Sequence, residues 1–410
     1  MRGSVVIANR GGGVLQKFNL GKPSGALNWL VICAWGLLPL GYIEVILHRI
    51  PIVGLLSPAF QPVLFLLLIS ISISRLSRYI RLIDLLTYIF CVAVYLMQYI
   101  LFPRNTEILD QYFLRFVLQA LPFYFIGLII DVKEMDKALY WVSVISIWMV
   151  VFYLFVYKRS QEGMPSDDEI EEKMSIAYLT LPYVMYVFWN LLRNFSLIGL
   201  VTTILGTLFL FSCGTRGPIV CLTAFVVLYI LIYNNWSKTT KIIVFSIVAV
   251  LAAIVINYLD IILLFFQELS VQLGVSNRVF SMLESGEMIS YTSGRDNISE
   301  RLWDVVKTGN LFGYGIGGTW QFVGMYAHNL VLDLLVSFGP LLGGLFFGII
   351  VWAIYLGFKK SRGLTRGFIL MLICCSFLKL FMSHIFLTES MLFLLLGLCV
   401  QTIRRGNSCQ

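Results

Sequence analysis

The chain has 410 residues, 59% hydrophobic and 13% charged, with a mean hydropathy of +0.87 and a formal charge of +8. Soluble domains carry about 25% charged residues, so this composition excludes a soluble globular enzyme and specifies an all-α polytopic membrane protein. The eight cysteines fall mostly in apolar runs and only Cys213 is expected to face outward, so no intramolecular disulfide is expected outside the membrane.

In chain order, residues 1–26 carry Arg2, Arg10, Lys17 and Lys22 around a triple glycine. That is too polar for the apolar segment of a signal peptide, and the stretch reads as a cytoplasmic tail. Nine apolar runs follow between 27 and 265, near 27–47, 57–74, 83–102, 112–130, 138–157, 174–192, 195–211, 217–234 and 241–265. A hydrophilic segment occupies 266–339, three more runs lie near 340–357, 367–383 and 388–403, and 404–410 is a second short tail. A spanning helix needs roughly 20 apolar residues, so about 12 transmembrane helices are expected.

Basic residues orient this array, because cytoplasmic loops are enriched in Lys and Arg. With the N-terminus inside, the inner segments hold Arg75, Arg78, Arg81, Lys133, Lys137, Arg193, Lys238, Lys241, Lys359, Lys360, Arg362, Arg366, Arg404 and Arg405 as well as the tail cations. The positive charge is thus an orientation signal rather than a nucleic-acid footprint, and no nucleic-acid partner is expected. No spacing of Asp, Glu and His suggests a metal cage, since His48, His328 and His384 fall on separate outer segments. No metal or cofactor is expected.

Two outer segments are longer than a simple connection. KRSQEGMPSDDEIEEK (158–173) is acidic and reads as a solvated loop or as a contact for an acceptor sugar. The segment 266–339 is the larger, and long loops with structure of their own are usually functional. Within it, 297–306 spells an amphipathic helix with Ile298, Leu302 and Val305 on one face, suited to lie on the membrane surface. A glycine turn, LFGYGIGG (311–318), and a helix start, AHNLVLDLLV (327–336), follow. No internal repeat is visible, which disfavours an inverted-repeat transporter.

Arg216, in SCGTRGP (212–218), sits at the outer face where the eighth span begins. Ser212 and Thr215 are candidate caps for that helix, and Pro218 suits its first turn. The helix N-terminus and the guanidinium together favour an anion, although a snorkelling arginine at a helix end looks the same. Arg295, in TSGRDNISE, is close to a second helix N-terminus, with Ser293 or Asp296 as the cap, and Arg301 is a weaker third candidate. Taken alone, each also fits a solvated loop charge. The glycines of 313–318 read as a tight turn whose backbone N–H groups could contact phosphate. His328 opens a helix, with Asn329 placed to cap it, to hydrogen-bond around it or to contact the substrate, and there the dipole disfavours a second positive charge and keeps the imidazole neutral. A neutral imidazole can act as a general base. Arg115 and Lys379 lie toward the outer ends of their spans, where snorkelling accounts for them, and Arg115 is kept as an extra anion contact.

SCGTRGP, then SGR with LFGYGIGG, then HN followed by Leu332 and Gly339, in this order and on one face, resemble the O-antigen polymerase and ligase superfamily of bacterial envelope glycosyltransferases. The resemblance spans roughly residues 170–400. It implies a fold like that of the GT-C type, with one large extracytoplasmic loop containing short helices. It also implies a metal-independent, inverting transfer from an undecaprenyl-diphosphate-linked glycan, in the bacterial inner membrane with the site on the periplasmic face. Carried onto these positions, Arg216 and Arg295 hold the diphosphate and His328 activates the acceptor hydroxyl. The position of Trp303 and of GPLLGG departs from the family pattern, so Arg295 and Arg301 both remain candidates for the second phosphate ligand.

Within this family the expected activity is a polysaccharide (O-antigen or capsule) repeat-unit polymerase. A ligase moving polymer onto lipid A core is the alternative, and a lipid-linked oligosaccharide flippase a more distant one. The implied partners are lipid-linked donor and acceptor glycans, membrane lipid and a chain-length regulator.

Overall fold

The computed structural model describes residues 28–36, 79–152, 167–213, 215–233, 295–308 and 310–407. The runs 57–74 and 241–265, most of 27–47, the tail 1–26, residues 158–166 and the first part of the large loop, including Ser293, lie outside the described residues.

The described chain is helical and contains no strand. In order it forms α1 (28–36), α2 (Leu82–Leu101), α3 (Thr106–Leu114), α4 (Phe123–Ile129), α5 (Val132–Phe152), α6 (Asp167–Arg193) and α7 (Leu197–Ser212). Then come α8 (Arg216–Leu228), α9 (Arg295–Lys307), α10 (Gly318–Val323), α11 (Leu330–Lys360), α12 (Gly363–Leu372) and α13 (Ser390–Asn407). Among the described residues six helical stretches are long and apolar enough to cross a membrane: Leu82–Leu101, Pro103–Ile129, Val132–Phe152, Met174–Arg193, Leu330–Lys360 and Gly363–Phe381. Shorter apolar helices cover Leu197–Phe211 and Arg216–Ile232. Each overlaps a stretch expected to span, but Pro103–Ile129 and Leu330–Lys360 start nine and ten residues before the expected 112 and 340. The chain is thus compatible with a multi-pass membrane protein.

In lipid, helices associate through close packing and polar contacts rather than through exclusion of water. Both devices are present here. Trp35 on α1 is buried among Tyr183, Tyr186 and Phe368, donates from its indole to Ser143 at 3.0 Å, and accepts from Tyr183 at its carbonyl at 2.7 Å. Gly127 on α4 faces Gly397 on α13 so closely that a Cβ on Gly127 would stand 2.6 Å from the Leu398 nitrogen.

Ion pairs sort the helix ends into two groups. At one end Arg404 grips Asp84 through two bonds of 2.7 Å, and Arg193 grips Asp136 at 2.7 and 3.0 Å. Gly406 and Lys360 meet there as well. Arg404, Arg193 and Lys360 are all among the residues expected on inner segments.

Three local readings change. The helix bearing Arg295 is not laid on a membrane surface, because Leu302 is 0% exposed and packs with Ile298 and Val305 against Ala327, Leu332 and Val336. Cys213 does not face outward but is buried at 6% exposure in the main core. The glycine turn does not offer its amides to a phosphate. The Tyr314 and Gly315 N–H groups donate to the Val336 and Ser337 carbonyls at 2.8 and 2.9 Å, and the Ile316 N–H donates to Gln98 Oε1 at 3.0 Å. These two carbonyls belong to the end of a half-helix, since α11 breaks at Gly339 (φ 78°, ψ 167°) before Pro340. Helix-terminal carbonyls need partners, and the turn supplies them. A Cβ on Gly313 would stand 2.6 Å from the Ser337 oxygen, which is why this strap is built of glycine. Asn105 holds the same turn by donating to the Tyr314 and Ile316 carbonyls at 2.8 and 2.9 Å.

Candidate functional site

The half-helix pinned by the glycine turn begins at Leu330, and Asn329 caps it by accepting from the Val331 and Leu332 N–H groups at 2.9 and 3.5 Å. Asn329 is therefore a structural cap at the edge of the site. His328 precedes the cap with φ 53°, and His384 has φ 138°. Among the described residues these two are the only non-glycine residues with positive φ. Such backbone costs on the order of 1–3 kcal/mol, persists only where the surroundings enforce it, and clusters at functional sites. His328 is half-buried, with its ring centroid 4.1 Å from that of Tyr326.

Burial first, and the Arg295 charge second, lower the His328 imidazole from its ordinary 6.5 to about 4. The neutral form was expected from the helix dipole. The direction agrees, but the causes here are desolvation and a guanidinium brought from another helix.

Arg295 is the first residue of α9 and is half-buried. Its Nη1 donates to the Met382 carbonyl at 2.6 Å, which takes one of five N–H donors on the fork. Arg301 is exposed farther along the same helix. Of these two arginines, Arg295 is the one in electrostatic reach of His328.

Arg216 is the first residue of α8, with Thr215 in extended geometry at the cap position and making no side-chain cap bond. The Thr215 hydroxyl is buried without a partner. A helix N-terminus with no side-chain cap retains its attraction for an anion. The next residue, Gly217, lies against Tyr178 on α6: a Cβ there would stand 2.7 Å from Tyr178 Cζ and closer still to the hydroxyl. Tyr178 in turn is within electrostatic reach of Arg295 and Tyr326 and lies near the Ser383 hydroxyl. The Arg216 turn, Arg295 and His328 are thus linked through Tyr178 and residues 382–383, at one end of the helix array.

Arg115 heads a π-turn, Arg115–Ala120, that packs against Phe386–Thr388, and its own side chain is exposed. Lys379 departs from its expected role. Instead of snorkelling, it is buried, ion-paired to Glu389, with its ammonium 5.5 Å from the Tyr178 ring centroid. Sequence reasoning also passed over Tyr178, Ser383 and Glu389, none of which carries a motif. Three aromatic residues lead away from His328: Tyr326, then Trp320 with ring centroids 6.0 Å apart, then Tyr112 at 5.9 Å.

Among the described residues no group of three or more His, Cys, Asp or Glu is arranged to hold a metal ion. Chemically, the arrangement offers guanidinium groups and a helix N-terminus for an anion, and a neutral imidazole beside them. Comparison with family models, with curated proteins and with solved structures returns no match for this chain.

Proposed function

We propose that this protein is a polysaccharide repeat-unit polymerase of the bacterial inner membrane. It joins an undecaprenyl-diphosphate-linked glycan to the sugar of a second lipid-linked acceptor at the periplasmic face. The observation that carries this reading is the linkage of the Arg216 turn, Arg295 and His328 around Tyr178. Three segments far apart in the chain meet where only an anion grip and a base are required of them.

In the proposed reaction the acceptor hydroxyl oxygen attacks the anomeric carbon opposite the diphosphate. The bond from that carbon to the diphosphate oxygen breaks, and the electron pair leaves with the diphosphate. Arg216, Arg295 and the first turn of α8 stabilise the growing negative charge, an electrostatic effect that requires no reorganisation if the donors are fixed beforehand. His328 takes the proton from the acceptor hydroxyl, typically a 10²–10⁴-fold contribution. An imidazole at about 4 is a weak base in the empty site. A diphosphate on Arg295 opposes the second of the two causes that lower it, so donor binding strengthens the base. The row Tyr326, Trp320 and Tyr112 provides flat apolar faces for the acceptor sugars.

The test is chain-length analysis of surface polysaccharide in cells carrying Arg216→Ala, Arg295→Ala or His328→Ala at matched protein levels. Short or single-repeat glycan on the lipid core is expected from each, and unchanged polymer from all three would overturn the assignment. Polymer stranded on the undecaprenyl carrier would identify a ligase instead. Loss of glycosyl transfer once the protein is purified in detergent, with no sealed compartment, would point to a transporter.

A further inference from the structure

Residues 379–389 join the end of the span Gly363–Phe381 to α13, and nothing in the proposed reaction uses them directly. Yet two consecutive residues there touch the site, and a third carries the strain. The Met382 carbonyl accepts from Arg295. The Ser383 hydroxyl, on a residue 2% exposed, lies near Tyr178 and 3.4 Å from the hydroxyl of Tyr326, whose ring is tilted at 42° to that of His328 with centroids 4.1 Å apart. His384 carries the second positive φ, and its Nε2 stands 3.5 Å from Glu389 Oε2 and 3.3 Å from Thr388 Oγ1.

Both ends of this segment are tied by charge. Lys379 and Glu389 form an ion pair with side chains only 5% and 3% exposed. The Lys379 carbonyl also accepts from the Met382 and Ser383 N–H groups at 2.9 and 3.0 Å. A buried ion pair adds little net stability compared with apolar residues of the same size, but removing one partner leaves an uncompensated charge. What such a pair provides is a defined geometry, and a strained backbone at His384 needs one.

Building on the proposed polymerase reading, we propose that the Lys379–Glu389 pair is a positioning clamp. It closes the 379–389 segment so that the Met382 carbonyl and Ser383 hydroxyl hold Arg295, Tyr178 and the Tyr326–His328 pair in register. Lys379 and Glu389 are positioning residues that act through Arg295, and they touch no substrate.

The experiment uses purified full-length protein with Lys379→Met, Glu389→Gln and the paired apolar variant Lys379→Met/Glu389→Leu. Hydrogen exchange at 295–301 and 382–384 is measured without substrate, together with binding of undecaprenyl diphosphate, and melting temperature checks the fold. The single variants are expected to exchange faster at both segments. Their donor transfer should fall by about 100-fold, the cost of roughly 1 Å of misplacement. The paired variant is expected to recover the melting temperature but not the slow exchange or the transfer. In an Arg295→Ala background, Lys379→Met should weaken undecaprenyl diphosphate binding no further. Native exchange at both segments in the single variants, or full recovery of transfer in the paired one, would overturn the clamp. Failure of the unaltered protein to bind undecaprenyl diphosphate would instead sink the polymerase reading, with the exchange measurement still deciding the clamp.

Discussion

Gly217→Ala tests the seat on which the anion grip is built. The added Cβ would stand 2.7 Å from Tyr178 Cζ and nearer still to the hydroxyl. Carbon atoms in contact sit at about 3.5–4.0 Å, so the ring carbon alone demands a retreat of about 1 Å and the hydroxyl demands more. The ring has nowhere to go, because Tyr178 is 5% exposed, close to Ser383 and covered by the Lys379 ammonium at 5.5 Å from its centroid. If α8 withdraws, Arg216 moves with it; if Tyr178 is pushed, Ser383 and Arg295 are disturbed. Overpacking of this kind costs about 1–3 kcal/mol, and a misplacement near 1 Å costs on the order of 100-fold in rate. The assay is glycosyl transfer by purified protein in detergent, with thermal melting alongside. A loss of about 100-fold with a modest drop in melting temperature is expected. Gly217→Ala/Tyr178→Phe should regain part of it, because the nearest atom is then gone. A Gly217→Ala protein that melts and transfers like the unaltered one would show that α8 does not seat on Tyr178.

With three histidines in the chain, ring-labelled histidine in an NMR titration can follow His328. Its inflection should lie near 4, move upward in Arg295→Ala, and stay below 6.5 because burial remains. A histidine lowered on folding is protonated more readily in the unfolded chain, so its contribution to stability declines from about pH 6.5 downward and levels off below about 4. Trp320→Ala should raise the KM for acceptor and leave the KM for donor unchanged, as measured by varying each substrate in turn. Arg404→Met, at the other end of the array, leaves the buried Asp84 without its guanidinium. It should destabilise by about 3–5 kcal/mol, read as a lowered melting temperature, with the KM of the surviving protein unchanged.

The membrane class of the protein was legible in the sequence, because it depends on quantities that add along the chain. Apolar runs long enough to cross a bilayer need no tertiary information, whereas the Arg404–Asp84 and Arg193–Asp136 pairs join residues that sequence order leaves unrelated. Local signals also carried Arg216 and Arg295 as helix-initial residues and offered the cap as one of the roles open to Asn329, since caps and first turns are properties of a few neighbouring residues.

Only the tertiary structure decided which of these residues meet. Lys379 and Glu389 are ten positions apart, yet whether they face lipid or each other depends on how the segment between them, with its two short 3-10 turns, folds. The glycine string reads as a tight turn with amides open to a phosphate, and it proved to be a strap because the broken end of α11 supplies carbonyls to receive those amides. Tyr178 carries no signature at all; its place beneath Gly217 and beside Ser383 comes from α6, α8 and the 382–389 segment converging. Hydropathy and charge act one residue at a time, whereas a site is a set of distances between segments that sequence order leaves unrelated.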